Sequence, residues 1–362
     1  MRRCSLLCWS WIVLLGACEG DEKTPDLAAL SAGAVVEEGV GGTVELEVAT
    51  LNLAVGFGLE RLSKYILMPA TVEDLSADTA SLVDEMSEAK PAERLAALAK
   101  ALAEDAPEVI ALQEVMRVRF GEEVVHDFLA ALLEGLAAEG LTYEAAYQET
   151  EPLTLPFWRE GVATELSFNE GNAILVRDEV ELVDEEGRIF EAAVGPIPIL
   201  EASFKAERGV QRVRIRKQGL DVELYNTHLE IGAFAGVHAS QAEELVEYLG
   251  SFQIGTPRVL LGDLNAVLGS KTYLDLASLP MADVALLVET PPAPTCCQVL
   301  FEGEQVTVPL QRIDYIFASG LTSASEVRTG LSDGAVPGAS ELLHPSDHLG
   351  VLATLRFPKA VE

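Results

Sequence analysis

An aspartate and a histidine stand side by side near the end of the chain, and their chemistry gives the first indication of function. The chain reads Ser346-Asp347-His348-Leu349 there. A carboxylate and an imidazole can serve one metal-bound phosphate together, the carboxylate holding the cation and the imidazole contacting the oxygens or the attacking water. The same pair is also an ordinary surface dipeptide, so its meaning depends on similar groups elsewhere.

Similar polar groups do occur upstream, each at one end of an apolar, strand-like run. They are Asn52, Glu114, Asn172, Asn226 with His228, Asp263 with Asn265, and Asp314. These are hard oxygen donors and imidazoles without thiolates, a set that favours Mg²⁺ or Mn²⁺ over a structural zinc ion. Each one taken alone can equally be a turn former, a solvated strand end or a core histidine. Their joint occurrence favours a site.

The runs between these residues predict alternating strands and helices without internal repeats. Residues 43–53 alternate between apolar and polar types, which predicts a strand. Helical spacing of leucine and alanine predicts a helix over residues 92–103. The other predicted strands are 108–112, 171–176, 210–216, 222–227, 258–261, 313–318 and 350–357, and the other predicted helices are 124–139 and 240–249. Many strands with few helices favour packed sheets flanked by helices.

Two segments are longer than these elements require. Residues 56–91 separate the first two polar clusters, and residues 149–170 precede the third. Long segments near strand ends commonly carry substrate specificity. The second segment contains Leu155, Phe157 and Trp158. Two interpretations of these side chains stay open: contact with a lipid or organic leaving group, or a cap over the core.

The order of the polar clusters closely resembles the endonuclease/exonuclease/phosphatase superfamily, whose fold is that of pancreatic deoxyribonuclease. The resemblance spans roughly residues 44–357. Its seven motifs read Thr50-Leu51-Asn52, Leu112-Gln113-Glu114-Val115, Gly171-Asn172-Ala173-Ile174-Leu175, Asn226-Thr227-His228-Leu229-Glu230, Gly262-Asp263-Leu264-Asn265-Ala266, Arg312-Ile313-Asp314-Tyr315 and Ser346-Asp347-His348. Each motif is short, and the shared order of all seven is the specific part of the resemblance.

The resemblance implies an α/β fold and a set of roles. The fold is a four-layer α/β/β/α sandwich, two packed mixed sheets flanked by helices, with the site at one edge. The metal ligands would be Asn52, Glu114 and Asp347, the catalytic residues His228, Asp263, Asn265, Asp314 and His348, and the substrate-binding residues Asn172 and Asn226. We add Arg212 as a candidate phosphate contact, with a solvated strand face as its alternative.

The implied reaction is in-line attack of water on phosphorus, assisted by Mg²⁺ or Mn²⁺. His228 and Asn265 would contact the scissile phosphate, and Asp314 would orient His348. Asp263 would position or activate the water. Whether Asp263 or His348 acts as the general base stays open at this point.

Charge bears on the choice of substrate. The 362 residues include 25 Lys and Arg against 58 Asp and Glu, a formal net charge of −33. Nucleic acids are bound largely through Lys and Arg contacts to phosphates, so this composition disfavours a nucleic-acid substrate. A local basic groove or bound cations can still reverse the local field. A hydrophobic content of 49% excludes general disorder.

The first residues have the pattern of an export signal. Arg2-Arg3 precedes an apolar stretch that is too short to span a bilayer. Leu15-Gly16-Ala17-Cys18 resembles a bacterial lipoprotein cleavage box, which implies lipidation of Cys18; a conventional signal peptide is the alternative. We therefore predict a signal over residues 1–17, a tether over 18–42 and one catalytic domain over 43–362. The expected location is the extracytoplasmic side of the bacterial cell envelope.

Two neighbouring cysteines remain in the predicted domain. Cys296 and Cys297 can form a disulfide, bind a soft metal or remain thiols. Their chemical role stays open.

Three functions are compatible with these observations. The first is an anchored phosphodiesterase or phosphatase acting on a small-molecule or lipid-like phosphoester, which the acidity and the lipid anchor favour. The second is an extracytoplasmic nuclease cleaving DNA or RNA. The third is a catalytically silent binding lipoprotein, which the full set of polar residues disfavours. A monomer is expected.

Overall fold

The computed structural model describes most of the chain from Gly42 onward and a short piece before it. The described residues are 34–36, 42–57, 62, 64–65, 71–159, 162–200, 202–251, 255–289, 293–298, 300, 308–333, 336 and 343–359. The predicted signal and Cys18 lie outside them. Among the described residues, no helix combines the length and the apolar character that crossing a bilayer requires.

Within the described residues the chain forms eighteen strands. They are β1 Thr43–Asn52, β2 Val109–Gln113, β3 Arg117–Phe120, β4 Glu123–Asp127, β5 Tyr143–Glu149, β6 Leu153–Arg159, β7 Val162–Asn169, β8 Gly171–Arg177, β9 Glu181–Ile189, β10 Val194–Ile199, β11 Ala202–Ala206, β12 Gly209–Lys217, β13 Leu220–His228, β14 Arg258–Asp263, β15 Ala282–Asp283, β16 Asp314–Ser319, β17 Ser323–Thr329 and β18 Val351–Pro358.

Five α-helices accompany the strands in the same part of the chain. They are α1 Val72–Glu88, α2 Pro91–Asp105, α3 Phe128–Ala138, α4 Ala235–Gly250 and α5 Lys271–Ala277. Side-chain caps begin three of them, since Thr71, Asp127 and Ser270 accept hydrogen bonds from backbone N–H groups of the first turn. Pro91 begins α2, at the position where its missing N–H has no helical partner to lose.

Twelve strands form two mixed six-stranded sheets. The first has the order β17-β18-β1-β2-β8-β5 and the second the order β15-β16-β14-β13-β12-β9. Each contains one central parallel pair, β1 with β2 and β13 with β14, surrounded by antiparallel neighbours. The two sheets are therefore built on the same plan.

Alternation of side chains along the strands divides the core into three apolar layers. Between the two sheets pack residues such as Val48, Ile174 and Leu224. The outer face of the first sheet packs under α1, α2 and α3, and that of the second sheet, with Tyr225, packs under α4 and α5. The order helices, sheet, sheet, helices confirms the predicted four-layer α/β/β/α sandwich.

Additional strands stand beside the sandwich. A four-stranded sheet of order β4-β3-β7-β6 and a hairpin of β10 and β11 were not predicted. The segment 149–170, which we expected to be a long loop, is mostly the hairpin of β6 and β7. Leu155 and Phe157 are buried in the core there, whereas 57% of Trp158 is exposed. The first two side chains therefore cap the core, as one of the two open interpretations held.

A short piece of the predicted tether is described by the structure. Ala34 is buried, and the backbone N–H of Val36 donates to the carbonyl of Leu321 at 2.9 Å. Residues 34–36 thus lie against the folded body.

Candidate active site

The polar residues at the ends or starts of the central strands lie along one edge of the sandwich. The parallel strands β1, β2, β13 and β14 finish at this edge, and the antiparallel strands β8, β16 and β18 begin there. Because strand direction decides which end a residue occupies, residues distant in sequence meet here. The predicted residues at this edge are Asn52, Glu114, Asn172, His228, Asp263, Asn265, Asp314, Asp347 and His348.

The first sheet contributes an oxygen-rich group. The Nδ2 atom of Asn52 donates to Glu114 Oε1 at 2.9 Å and to Asp263 Oδ2 at 3.2 Å. The other oxygen of Glu114 accepts from the backbone N–H of Val55 at 2.6 Å. Ser346 donates through its hydroxyl to the carbonyl of Asn52 at 2.6 Å, which brings the neighbouring Asp347 to the same group. The three predicted metal ligands thus converge.

Asp263 lies at the centre of the cleft between two imidazoles. Its Oδ2 atom is 3.6 Å from His228 Nε2 and 3.7 Å from His348 Nε2. Its Oδ1 atom accepts from the backbone N–H of Asn265 at 2.8 Å. The Asn265 side chain lies 3.2 Å from His228 Nε2. This cluster comes from the end of β13, the end of β14 and the segment before β18, which are well separated in sequence.

Each imidazole is held from behind by a carboxylate. His348 Nδ1 is 2.9 Å from Asp314 Oδ2, and His228 Nδ1 is 3.1 Å from Glu170 Oε1. A carboxylate can only accept a hydrogen bond, so His348 Nδ1 carries a proton toward Asp314. His228 Nδ1 lies beside both Glu170, which accepts, and the Arg208 guanidinium, which donates. The Nε2 atoms of both histidines lie near Asp263 in the cleft. The predicted orienting role of Asp314 matches this geometry.

Burial and neighbouring charges both change the pKa values of these groups. Burial would lower the pKa of His348, but Asp314 and Asp263 outweigh it and raise that pKa well above 6.5. Burial raises the pKa of Asp263, and Asp314 adds to the rise. Burial also works against the charge on Glu170, but the Arg208 guanidinium and His228 hold its pKa at about 2. The cleft therefore places two buried histidines, each with a raised pKa, beside carboxylates.

Two residues of this site were missed in the sequence. Arg208, just before β12, contacts Glu170 through its guanidinium and lies 3.0 Å from His228 Nδ1. Glu170 immediately precedes the Gly171-Asn172 motif, which is the one signal that could have identified it. Arg208 lies in no motif, and only the fold brings it to the cleft. With Asn172 and His228 these residues line one end of the cleft.

Asn226 does not meet the cleft as a substrate-binding residue. It is completely buried, and its Nδ2 atom donates to the carbonyls of Leu112 at 2.8 Å and Ala173 at 3.0 Å. Its Oδ1 atom accepts from Gln113 at 2.7 Å. The predicted contact with substrate is therefore wrong, because the whole amide group links the two sheets.

The predicted phosphate contact of Arg212 also differs from its position in the structure. Arg212 lies opposite Tyr225 on the face of the second sheet that packs under α4, whereas His228 lies on the inner face. Its guanidinium pairs with Glu223, to whose Oε1 it donates at 2.9 Å, and with Asp184 at 3.2 Å. A strand-face ion pair, not a phosphate contact, is its observed role.

The backbone is unusual at two of the strand ends. Glu114 has φ of 54° and Asn265 has φ of 46°, in the left-handed region that side chains with a Cβ rarely adopt. Such conformations are held where the surrounding structure fixes them, commonly at functional sites. Here each one turns the chain sharply after a strand and aims the side chain into the cleft.

The cysteine pair lies behind the second histidine. Cys296 and Cys297 are joined as a disulfide, one of the three states left open by the sequence. The hydroxyl of the preceding Thr295 accepts from the backbone N–H of Asp314 at 3.2 Å, and its carbonyl accepts from Leu349 at 2.8 Å. This segment therefore ties the loop of Asp314 to the loop of His348.

The chemistry of the donors fits a hard divalent cation. Asn52, Glu114 and Asp347 offer an amide and two carboxylates, the ligand types that Mg²⁺ and Mn²⁺ prefer. Burial raises the pKa of Asp347, His348 opposes the rise and Glu114 adds to it. A buried carboxylate beside another is stabilised by a cation. Asp263, Asp314 and His348 form a second group whose ligand atoms lie within 4.8 Å of one another.

The comparisons with known proteins agree with this geometry. The family model described as Endonuclease/Exonuclease/phosphatase family matches residues 49–348. The chain therefore belongs to the endonuclease/exonuclease/phosphatase family, and it is a metal-dependent phosphoester hydrolase of that superfamily. No curated protein matches the chain.

Solved structures show the same fold. A family member from Leptotrichia buccalis C-1013-b has 17% identity and a TM-score of 0.55, covering 86% of this chain and 100% of that one. A family member from Beutenbergia cavernae DSM 12333 has 25% identity and a TM-score of 0.55, covering 87% and 72%. D. rerio TDP2 complexed with single strand DNA product has 14% identity and a TM-score of 0.52, covering 86% and 98%.

Proposed function

We propose that the protein hydrolyses a small-molecule or lipid-like phosphoester by in-line attack of water on phosphorus. The observation that carries the proposal is the position of Asp263 Oδ2, 3.6 Å from His228 Nε2 and 3.7 Å from His348 Nε2. A carboxylate between two imidazoles can take a proton from water while the imidazoles hold the phosphoryl oxygens.

The proposed roles follow from the atoms that face the cleft. Asp263 Oδ1 accepts from the backbone N–H of Asn265, whereas Oδ2, which also accepts from Asn52, is the oxygen that lies between the two imidazoles and is the proposed proton acceptor. His348 carries its Nδ1 proton toward Asp314, and its raised pKa keeps it charged at neutral pH. We therefore assign Asp263 as the base and His348 as the charged donor to the phosphate. His228, held by Glu170, donates from the other side.

The metal site completes the proposal. Asn52, Glu114 and Asp347 would hold Mg²⁺ or Mn²⁺. When bound, the cation supplies Lewis-acid stabilisation of the charge that develops on the phosphoryl oxygens.

Exposed apolar side chains that are close in sequence to cleft residues support a lipid-like substrate. Ile231 follows the His228 strand, Val267 and Leu268 follow Asn265, and Val308 and Leu310 precede Asp314. These five residues, here called the apolar rim, are 38% to 83% exposed. Apolar patches beside a polar site commonly contact a ligand or a membrane. The net charge of −33 weighs against polyanionic nucleic acid.

A nuclease is the second candidate. The likeness to D. rerio TDP2, a protein solved with single strand DNA product, supports it. The half-buried Arg208, which pairs with Glu170 beside His228, would give a nucleic-acid phosphate a cationic contact in an otherwise acidic molecule.

Attachment to the membrane is a further proposal, and it rests on the sequence around Cys18. Lipidation of Cys18 would hold the cleft near lipid phosphoesters on the extracytoplasmic side of the envelope. Cys18→Ser in the full chain should move the protein from the membrane fraction to the soluble fraction of the producing cells.

Parallel turnover assays test the proposed function. One purified preparation is given bis(p-nitrophenyl) phosphate, sphingomyelin, phosphoinositides, plasmid DNA and RNA, with Mg²⁺ or Mn²⁺ and with chelator. We expect turnover of a phosphoester that chelator abolishes and that His348→Ala reduces about 10²–10⁴-fold. His126→Ala, on β4, is the matched control because the proposed mechanism gives His126 no role. Full activity of the His348 variant would refute its role.

The apolar rim is tested on the same preparation. The double substitution Ile231→Ser and Leu268→Ser should reduce turnover of vesicle lipid while leaving bis(p-nitrophenyl) phosphate turnover near the wild-type rate. Equal loss on both substrates would argue against a lipid-like substrate. DNA cleavage that exceeds lipid cleavage would favour the nuclease.

A further inference from the structure

Arg94, near the start of α2, is the largest fully buried side chain among the described residues. The roles assigned above do not use it. A buried guanidinium is costly to keep unless each N–H has a hydrogen-bond partner, so a burial this complete calls for a physical reason.

The guanidinium of Arg94 binds backbone carbonyls from three separate segments. Its Nε atom donates to Ala89 at 2.8 Å, on the turn between α1 and α2. Its Nη1 atom donates to Leu53 at 3.0 Å and to Pro345 at 2.8 Å, and its Nη2 atom donates to Ala54 at 2.8 Å. One planar group thus joins the loop after β1 to the loop before β18.

The loop after β1 is held between Arg94 and the predicted metal ligands. Its carbonyls face Arg94, while its N–H groups face the ligands: Ala54 donates to Asn52 Oδ1 at 2.9 Å and Val55 donates to Glu114 Oε2 at 2.6 Å. The position of this loop therefore fixes both ligand side chains. Any shift of its carbonyls would move the N–H groups that orient Asn52 and Glu114.

Close packing confirms how tightly this loop approaches Arg94. Gly56 has φ of 80°, and a Cβ atom there would lie 3.3 Å from Arg94 Nη2 and 2.7 Å from the Ala89 Cβ. Only glycine permits both this conformation and this approach.

The loop before β18 carries the third ligand. Pro345, whose carbonyl accepts from Arg94, precedes Ser346 and Asp347. Ser346 in turn donates to the carbonyl of Asn52 at 2.6 Å and accepts from the backbone N–H of His348 at 3.1 Å. Arg94 therefore supports the loop of Asp347 and the loop of Asn52 from one point.

The charge of Arg94 also reaches the ligands. Burial lowers its pKa to about 10, while Asp347 and Glu114 raise it. Arg94 remains charged at neutral pH, so its guanidinium places a positive charge near the Asp347 and Glu114 carboxylates and reduces the repulsion between them.

We propose that Arg94 is the positioning residue of the cation site: its carbonyl contacts set the spacing of Asn52, Glu114 and Asp347, and its charge reduces the repulsion between the two carboxylates. The proposal rests on the proposed metal-dependent function. It goes beyond that function because Arg94 touches neither the cation nor the substrate.

The test uses Arg94→Lys and Arg94→Gln in the full chain. Mn²⁺ binding is measured directly by electron paramagnetic resonance of the free ion, and thermal unfolding is measured in chelator. Loss of an outer support of a metal site typically weakens metal binding by about 10–100-fold. We expect a loss in that range for the Gln variant and a smaller loss for the Lys variant, which keeps the charge but not the planar set of donors.

Arg258 is the matched control. It is also buried and donates to a backbone carbonyl, that of Leu249 at 2.7 Å, but it lies at the end of β14 opposite Asp263. Arg258→Lys and Arg258→Gln should lower stability while leaving Mn²⁺ affinity within about twofold of wild type, since they do not touch the ligand loops.

The outcomes separate this proposal from the proposed function. If wild type neither binds Mn²⁺ nor hydrolyses any phosphoester, the proposed function fails. If wild type does both and the folded Arg94→Lys variant binds Mn²⁺ like wild type, the role of Arg94 is overturned. The Lys variant decides the question even if the Gln variant does not fold.

Discussion

Each imidazole of the cleft has its own carboxylate, and the two pairs differ in their surroundings. His348 with Asp314 is buried among carboxylates, which favour the imidazolium form. His228 with Glu170 also meets the Arg208 guanidinium, which opposes a charge on the imidazole but holds Glu170 ionised. The pKa of both histidines is raised, but a neighbouring guanidinium opposes the charge on His228, so the two imidazoles have different electrostatic surroundings.

Replacement of Asp314 should show which state of His348 is active. Burial lowers the pKa of His348, and Asp314 opposes it more than any other neighbour; Asp314→Asn removes that carboxylate, so the pKa falls. If the charged imidazole binds the phosphate, the alkaline limb of the kcat/KM profile moves to lower pH. Asp221→Asn, at the far end of β13, is the control and should leave the profile unchanged. An unmoved alkaline limb in Asp314→Asn would contradict the charged role.

Replacement of Glu170 should change the pH dependence of stability. Its folded pKa of about 2 lies below the ordinary 4.5, so its stabilisation is fully present above pH 4.5 and is lost as the pH falls toward 2. We expect Glu170→Gln to lower the free energy of unfolding by about 2 kcal/mol at neutral pH. This is less than the loss of a fully buried ion pair would cost, because a fifth of the Glu170 side chain is exposed.

Urea unfolding at several pH values measures this effect. The difference between wild type and Glu170→Gln should shrink in acid. Glu179→Gln, which breaks an exposed pair with Arg177, should change stability by less than about 1 kcal/mol at any pH. A difference for Glu170→Gln that is independent of pH would show that its ionisation does not stabilise the fold.

At the scale of elements, eight strands of the two six-stranded sheets were predicted, whereas their edge strands β5, β9, β15 and β17 and the additional strands were not. Central strands are buried on both faces, so they read as apolar runs that end in a polar residue. The hairpin of β6 and β7 was missed although Leu153, Leu155 and Phe157 alternate with exposed or half-buried residues, which is the strand signal. Helix α1 was missed despite the helical spacing of Leu75, Thr79, Leu82 and Met86.

Predicted helix ends were less accurate than helix positions. The helix expected over 124–139 begins at Phe128, because Glu123–Asp127 pairs with β3 as a strand before Asp127 caps the helix. Helix α4 begins at Ala235, five residues before the expected start. Pairing with a neighbouring strand is a tertiary contact, and the local spacing of apolar residues does not predict it.

The β6–β7 hairpin can be tested through two of its side chains. Leu155→Ala should lower the free energy of unfolding by about 2–5 kcal/mol, because Leu155 is completely buried in the outer core of the first sheet. Trp158→Ala, on the same strand but largely exposed, should cost less than about 1 kcal/mol. Denaturant unfolding measures both. A small effect of Leu155→Ala would mean that the hairpin packs loosely on the sandwich.

For the molecule as a whole, the site depends on two sheets meeting at one edge. Motif order was enough to predict that meeting, because the family shares it. Arg208 was beyond prediction, since its partners Glu170 and His228 lie 38 and 20 residues away along the chain. Asn226 was placed at the right strand end, but only the packed sheets show that its amide points between them.

Cation binding should stabilise the whole fold. A cation that binds only the folded state at about 100 times its Kd adds about 2.7 kcal/mol. We therefore expect Mn²⁺ to raise the Tm by several degrees and chelator to reverse the rise. Glu114→Gln should lose most of the shift, whereas Glu123→Gln, exposed on β4, should keep it. A shift that persists in Glu114→Gln would place the cation elsewhere.

The amide of Asn226 has a consequence for how this enzyme can change. Asn226 lies on the second sheet, and its amide donates hydrogen bonds to the carbonyls of Leu112 and Ala173 on the first sheet. The spacing of the two sheets, and with it the width of the cleft, is therefore fixed by buried hydrogen bonds. Opening the cleft for a bulkier phosphoester would break several buried hydrogen bonds at once. New substrates should therefore be accommodated by changes in the surface loops, with the distance between the histidines and the cation ligands left as it is.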